Sequence, residues 1–277
     1  MRRFTILLTT LLTLFLGVPG VAQAGTAVPA RLPTSMAAAG DSITRAYDAT
    51  FFGCFLADCP ANSWATGTNS TVRSELTRLR AAQPGVSVSA TNVAKTGAKM
   101  GDLSRQLGLL VNSNVQYVTV LLGANDVCTS SLATMTAPDT FQAQFDVALD
   151  AFFDAPAHAN SFVFVSSIPN VRQLYDLFKN NSSARSTWRS FGICQSMLSS
   201  SIDDNTRAQV QAVEVEYNRR LATVCAAYDR CRWDGGATYN TVFAASDVST
   251  IDYFHPSIAG QAKLAKVTWG ASYWPTR

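Results

Sequence analysis

The chain is poor in histidine, poor in charge and nearly devoid of long apolar runs, and each shortage excludes something. Only two histidines, His158 and His255, stand among 277 residues, and no C-x-x-C pair occurs, so a structural zinc centre lacks donors. Charged residues make up 15% of the chain against 47% hydrophobic, a balance too apolar for disorder. Beyond the first twenty residues no stretch is apolar for the length of a membrane span, which excludes a multi-span membrane protein. Internal repeats, low-complexity tracts and interdomain linkers are also missing.

What is present starts with a leader. Met1-Arg2-Arg3, the apolar run from Phe4 to Leu16 and then Ala22-Gln23-Ala24 have the basic, greasy and small-residue zones of a secretory signal. A single N-terminal anchor is the competing reading, disfavoured because the run is short and ends in an A-x-A site. Residues 1–24 are therefore set apart as a signal peptide, and 25–277 are expected to form one catalytic-sized domain, secreted and extracellular. Removing Arg2 and Arg3 lowers the net charge from +3 to +1. A near-neutral chain is a poor nucleic-acid binder, which would carry a strongly basic face.

Six cysteines in an exported chain read as three disulfides, and many pairings are possible. Cys54 with Cys59 and Cys225 with Cys231 would close tight local loops, which leaves Cys128 with Cys194 as a long-range bridge.

Hydrophobic periodicity sets the architecture. Ser35 to Ala39 is a short buried run, stopped by Gly40-Asp41-Ser42; Val72, Leu76 and Leu79 then recur at helical spacing until Pro84-Gly85. Val86 to Ala90 alternates as a strand, and Leu103, Leu107 and Leu110 form a helical stripe after Asp102, an expected N-cap. Tyr117 to Leu122 is a third strand, followed by a helix carrying Phe141, Phe145, Leu149 and Phe152; Ser161 to Ser167 is a fourth. Later helices carry Val210 to Val224 and Ala259 to Thr268. Strands alternating with helices imply a mainly parallel sheet covered on both faces, a three-layer α/β/α sandwich. Ligands bind such sheets beyond the carboxyl ends of the strands. Residues 170–205, with Tyr175, Phe178, Trp188 and Phe191, are too long for a plain connection and are expected to elaborate that end.

Four polar segments fall at strand ends or in the final loop, and together they make an acyl-transfer set. Ser42 follows the first strand, where its hydroxyl is presented and the N–H groups of the bend are free for an oxyanion. Alone, Gly-Asp-Ser is ordinary turn composition. Asp252 lies three residues before His255, a spacing that lets the carboxylate hold the imidazole Nδ1–H while Nε2 accepts the proton of Ser42. The plain alternative is a capping Asp beside a packed His, but the other histidine, His158, has no acid at that offset. Gly97, after the second strand, permits close backbone approach, and Asn125, after the third, offers amide donors without a charge. Asp126 is read as ordering its loop.

Taken in order, Gly40-Asp41-Ser42-Ile43, Asn92-x-Ala94-x-x-Gly97, Gly123-x-Asn125-Asp126 and Asp252-x-x-His255 resemble the four blocks of the GDSL, or SGNH, hydrolases. The resemblance implies a flavodoxin-like sandwich, with Ser42 as nucleophile, His255 as base and Asp252 as its orienter. It further implies an oxyanion hole from the N–H groups of Ser42 and Gly97 and the side chain of Asn125. No metal or organic cofactor is required. No G-x-S-x-G occurs, so the ordinary α/β-hydrolase elbow is not an alternative.

A narrower likeness, carried by Ser63 to Thr68, Cys128 and Arg172-Gln173-Leu174-Tyr175, is to the phospholipase B-like branch, and points to lipid or phospholipid acyl esters. Phe51, Phe52, Phe55, Trp64, Trp188 and Phe191 would give an apolar acyl pocket if they converge at the strand ends, the alternative being that most of them pack loops onto the core. A carbohydrate acetylesterase of the same fold and a secreted, non-catalytic binding domain are the alternatives. The expected partner is a small ester or lipid met by a monomer, with at most transient contact with a lipid surface.

Overall fold

The computed structural model describes residues 27–274. The expected signal peptide, residues 1–24, lies outside them, as do the first two and last three residues of the expected 25–277 domain. Five parallel strands make one sheet in the order β2-β1-β3-β4-β5: β1 Ser35–Gly40, β2 Ser89–Asn92, β3 Tyr117–Leu121, β4 Phe162–Val165 and β5 Cys231–Trp233. This is the doubly wound order of flavodoxin-like folds, whose switch point lies between β1 and β3.

β1, β3 and β4 are buried on both faces, and their alternate residues face different layers. Val118, Val120, Val163 and Val165 enter the larger core, beneath α2 (Leu103–Gly108), α3 (Pro138–Asp154) and α6 (Asp204–Cys225). Met36, Tyr117 and Phe164 point the other way, to Leu76 and Leu79 of α1 (Glu75–Ala81) and Trp269 of α7 (Ile258–Ala271). Helices start where the sequence supplies caps: Ser74, Asp203 and Ser257 each accept a backbone N–H from the first turn of α1, α6 and α7.

Three local expectations are corrected. The second strand pairs over Ser89–Asn92 and not over Val86 to Ala90. It is an edge strand with exposed residues, so its alternation is weak, whereas Val88 is buried with Leu76 and Leu79 as a packing residue outside the ladder. Asp102 does not cap α2; its carboxylate accepts the Lys99 N–H and closes the turn before the helix. The fifth strand was not anticipated, because three residues with a central arginine carry no period.

The long stretch after β4 holds α4 (Arg172–Phe178) and α5 (Ser182–Ser190), followed by a turn tied by the Cys128–Cys194 disulfide. Cys54–Cys59 and Cys225–Cys231 close the two short loops. No helix among the described residues is long and apolar enough to cross a membrane.

Candidate active site

β1 delivers its end to the site through Gly40, whose backbone is left-handed at φ +155°. A Cβ there would meet the Leu121 carbonyl at 2.5 Å, so glycine lets β1 and β3 run side by side to their last rung. In the turn that follows, the Tyr47 N–H donates to the Ser42 carbonyl and Asp41 Oδ1 accepts the Ile43 N–H at 2.9 Å. Asp41 is fully buried and its carboxyl is pushed up to about 7, chiefly by loss of water, against the Ile43 N–H and the charge of His255. From α7, Gln261 donates to the Ile43 carbonyl at 2.8 Å and accepts the Trp64 N–H, bracing the turn from behind.

The opposing loop comes from just before α7. Asp252 Oδ1 accepts the N–H groups of Phe254 and His255 at 2.9 and 3.0 Å, so the carboxylate folds its own loop. Its Oδ2 lies 2.5 Å from His255 Nδ1, and His255 Nε2 lies 2.7 Å from Ser42 Oγ. Burial works to raise the Asp252 pKa, but the His255 hydrogen bond and charge, with the two N–H groups, outweigh it and hold the carboxyl below its ordinary value. Ser42, His255 and Asp252 thus form one hydrogen-bonded line.

The loops of the two oxyanion candidates beyond the turn are joined by a hydrogen bond. Asn125 Nδ2 donates to the Ala98 carbonyl at 2.9 Å, which joins the loop after β3 to the loop of Gly97. One amide N–H of Asn125 is engaged in this way and the second is left over. Lys95, two residues before Gly97, donates its N–H to the Gly40 carbonyl and brings that loop beside the end of β1. Gly97 has φ +80°, and among the described residues neither its N–H nor that of Ser42 has a hydrogen-bond acceptor. Asp126 orders this region, accepting the Met100 N–H and the Thr136 hydroxyl.

Asn125, Asp252 and His255 line an open cleft of about 370 Å³, whose apolar walls include Phe55, Leu56, Phe191 and Ile193. Of the six aromatics, Phe55 and Phe191 reach the cleft and the others do not, as the packing alternative has it for most of them. Trp64 and Trp188 are fully buried, their indole N–H groups donating to Thr44 Oγ1 and the Tyr253 carbonyl. Phe51 packs on Phe55 and Phe52, outside the lining.

Sequence reasoning missed Gln106, Gln261 and Asp48. The first two are buried amides whose partners lie far away in the chain, and nothing local marks them. Asp48 sits beside Asp252, and ligating atoms of Asp48, Asp252 and His255 lie within 4.8 Å of one another, as in a metal cluster. Here, however, Asp252 Oδ2 and His255 Nδ1 are engaged with each other. Among the segments of the narrower likeness, Gln173 pins the strand-end loop through Thr241 and Phe243, and Cys128 lies on the cleft.

The sequence model of the GDSL-like lipase/acylhydrolase family matches residues 36–268. No curated protein sequence matches the chain significantly. The fold is similar to that of LAE5, an α/β hydrolase from the metagenome of Lake Arreo, Spain, at 14% identity and TM-score 0.55, covering 88% of this chain and 97% of that one. It is also similar to a catalytic variant of Axe2, an acetylxylan esterase from Geobacillus stearothermophilus, at 14% identity and TM-score 0.53, covering 92% and 100%.

Proposed function

This chain belongs to the GDSL-like lipase/acylhydrolase family and is a carboxylic ester hydrolase, and we propose that it cleaves lipid or phospholipid acyl esters through an acyl-enzyme on Ser42. One observation carries the reading: the line from Asp252 through His255 to Ser42 stands beside a cleft walled by Phe55, Leu56, Phe191 and Ile193. His255 Nε2 takes the hydroxyl proton as Ser42 Oγ attacks the ester carbonyl, while Asp252 stabilises the imidazolium. The oxyanion is received by the free N–H groups of Ser42 and Gly97 and by the second amide N–H of Asn125. The proton passes to the departing alcohol, and a water deprotonated by His255 then releases the acid. Each step uses groups of this chain.

Apolar walls suit an acyl chain better than a sugar, whose hydroxyls call for a ring of hydrogen-bonding side chains. Export is supported by three disulfides, which persist in oxidising compartments. A panel of p-nitrophenyl esters from acetyl to palmitoyl, acetylated xylooligosaccharides and a lysophospholipid tests the reading, run on wild type and Ser42→Ala. Turnover favouring chains longer than acetyl and lost in Ser42→Ala is expected. Strict acetyl preference would transfer the chain to the carbohydrate acetylesterases, and turnover persisting in Ser42→Ala would displace the nucleophile.

A further inference from the structure

Behind the His255–Asp252 pair lies a second carboxyl with an unusual environment. Asp48 is almost completely buried and held in a left-handed backbone at φ +53°, a conformation that asparagine and aspartate tolerate better than most side chains. Its position is fixed on both sides: its N–H donates to the Ala57 carbonyl, and its carbonyl accepts the Ser249 hydroxyl at 2.6 Å. Oδ1 accepts the Leu56 N–H at 2.5 Å, but Oδ2 is buried with no donor among the described residues. Asp252 is on its open side, within the 4.8 Å cluster that also includes His255.

Two buried carboxylates at that distance do not both ionise without a large penalty. Asp252 already has both oxygens engaged, Oδ1 by two N–H groups and Oδ2 by the imidazole. The proton therefore belongs on Asp48, whose unpartnered oxygen is the place for it. We propose that Asp48 and Asp252 share one proton, so that Asp48 is a positioning residue that steadies Asp252 and sets the pH at which His255 becomes a free base. The inference rests on the reading of Ser42, His255 and Asp252 as the reacting groups.

The balance of charge is simple. With the proton in place the pair carries a single negative charge and the Asp48 O–H donates to Asp252. When that proton leaves to water, two carboxylates face one imidazole and favour the imidazolium. Burial first, then the Asp252 charge, push the Asp48 carboxyl up to about 6, against the Leu56 N–H and His255. The other ionisable groups nearby are Asp41, whose buried carboxyl is pushed up to about 7 and feels the charge of His255, Tyr47 on the same loop as Asp48, whose phenol is raised by burial and by Asp48, Asp252 and Asp58, and the Arg45–Asp58 ion pair.

Asp48→Asn keeps an N–H donor for Asp252 and an acceptor for Leu56 but cannot ionise. With only two histidines, the His255 ring can be followed directly by NMR titration, without substrate and so independently of whether the ester reading holds. Its midpoint is expected to fall in Asp48→Asn by about half a pH unit or more, and the acid limb of kcat/KM to move with it. Coincident His255 midpoints would overturn the proposal. Should the variant fail to fold, the side-chain ¹³C resonance of Asp48 in wild type decides. A midpoint well above the ordinary aspartate value, with a matching step in the His255 curve, supports the shared proton, and an ordinary midpoint refutes it.

Discussion

Gln106 closes both hydrogen-bonding groups of Gly40: its Oε1 accepts the Gly40 N–H and its Nε2 donates to the Gly40 carbonyl, each at 2.8 Å. The amide is fully buried, so the last residue of β1 is clamped from α2, two positions before Ser42. Gln106→Ala would strand the buried Gly40 N–H, worth about 1–3 kcal/mol, while the Gly40 carbonyl keeps the Lys95 N–H. Urea unfolding is expected to show a loss of that order, with a fall in kcat for every ester. Unchanged stability would mean that water replaces the amide at no cost.

Asn125→Ala removes a side-chain donor while leaving the turn after β3 intact. It should lower kcat by roughly 100-fold or more. The melting temperature should change little, since a single hydrogen bond to the Ala98 carbonyl is lost. Steady-state kinetics on a well-folded variant that retains full kcat would take Asn125 out of the oxyanion hole.

Glu214 is buried on α6, with one oxygen accepting the Val171 N–H and the other lacking a donor among the described residues. Burial pushes its carboxyl from 4.5 up to about 8, and the Val171 N–H offsets only part of this. The folded state therefore holds the proton more tightly than the unfolded chain does. Its stabilising contribution is complete below about pH 4.5 and is lost as the pH rises from there through about 8. Melting curves from pH 5 to 9 should fall less steeply for Glu214→Gln than for wild type. Parallel slopes would show that the group is ionised in the fold.

Cys128 and Cys194 both line the cleft, and their bridge spans 66 positions. Replacing both with serine should destabilise the protein by about 2–5 kcal/mol. Because Phe191 and Ile193 stand just before Cys194, long-chain esters should lose about tenfold in kcat/KM while p-nitrophenyl acetate is less affected. Partial reduction of wild type should show the same order, with activity lost before the main thermal transition. Simultaneous loss would assign the bridge a purely structural part.

How much could be read in advance depended on where each residue finds its partners. β1, β3 and β4 are covered on both faces, so they are continuous apolar runs and stand out; β2 and β5 are edges, one exposed and one three residues long, and neither advertises itself. Ser42, Asn125 and the Asp252–His255 pair were visible because strand ends and a three-residue spacing place them. Gln106 and Gln261 were not, since their partners lie 66 and 218 positions away. For Trp64 and Trp188 the sequence left pocket and core open, since large aromatics near a site in sequence can still be core, as both are.

Gly40 and Leu121 face each other across the final rung between the two central strands. Ser42 is two residues past that rung and Asn125 four, so ladder register acts as a ruler for the reacting atoms. The loop bearing Phe191 takes no part in that measurement. Chemistry and taste are thus separable in this scaffold: grafting a different wall loop there would retune which esters enter while the attacking oxygen stays where the sheet puts it.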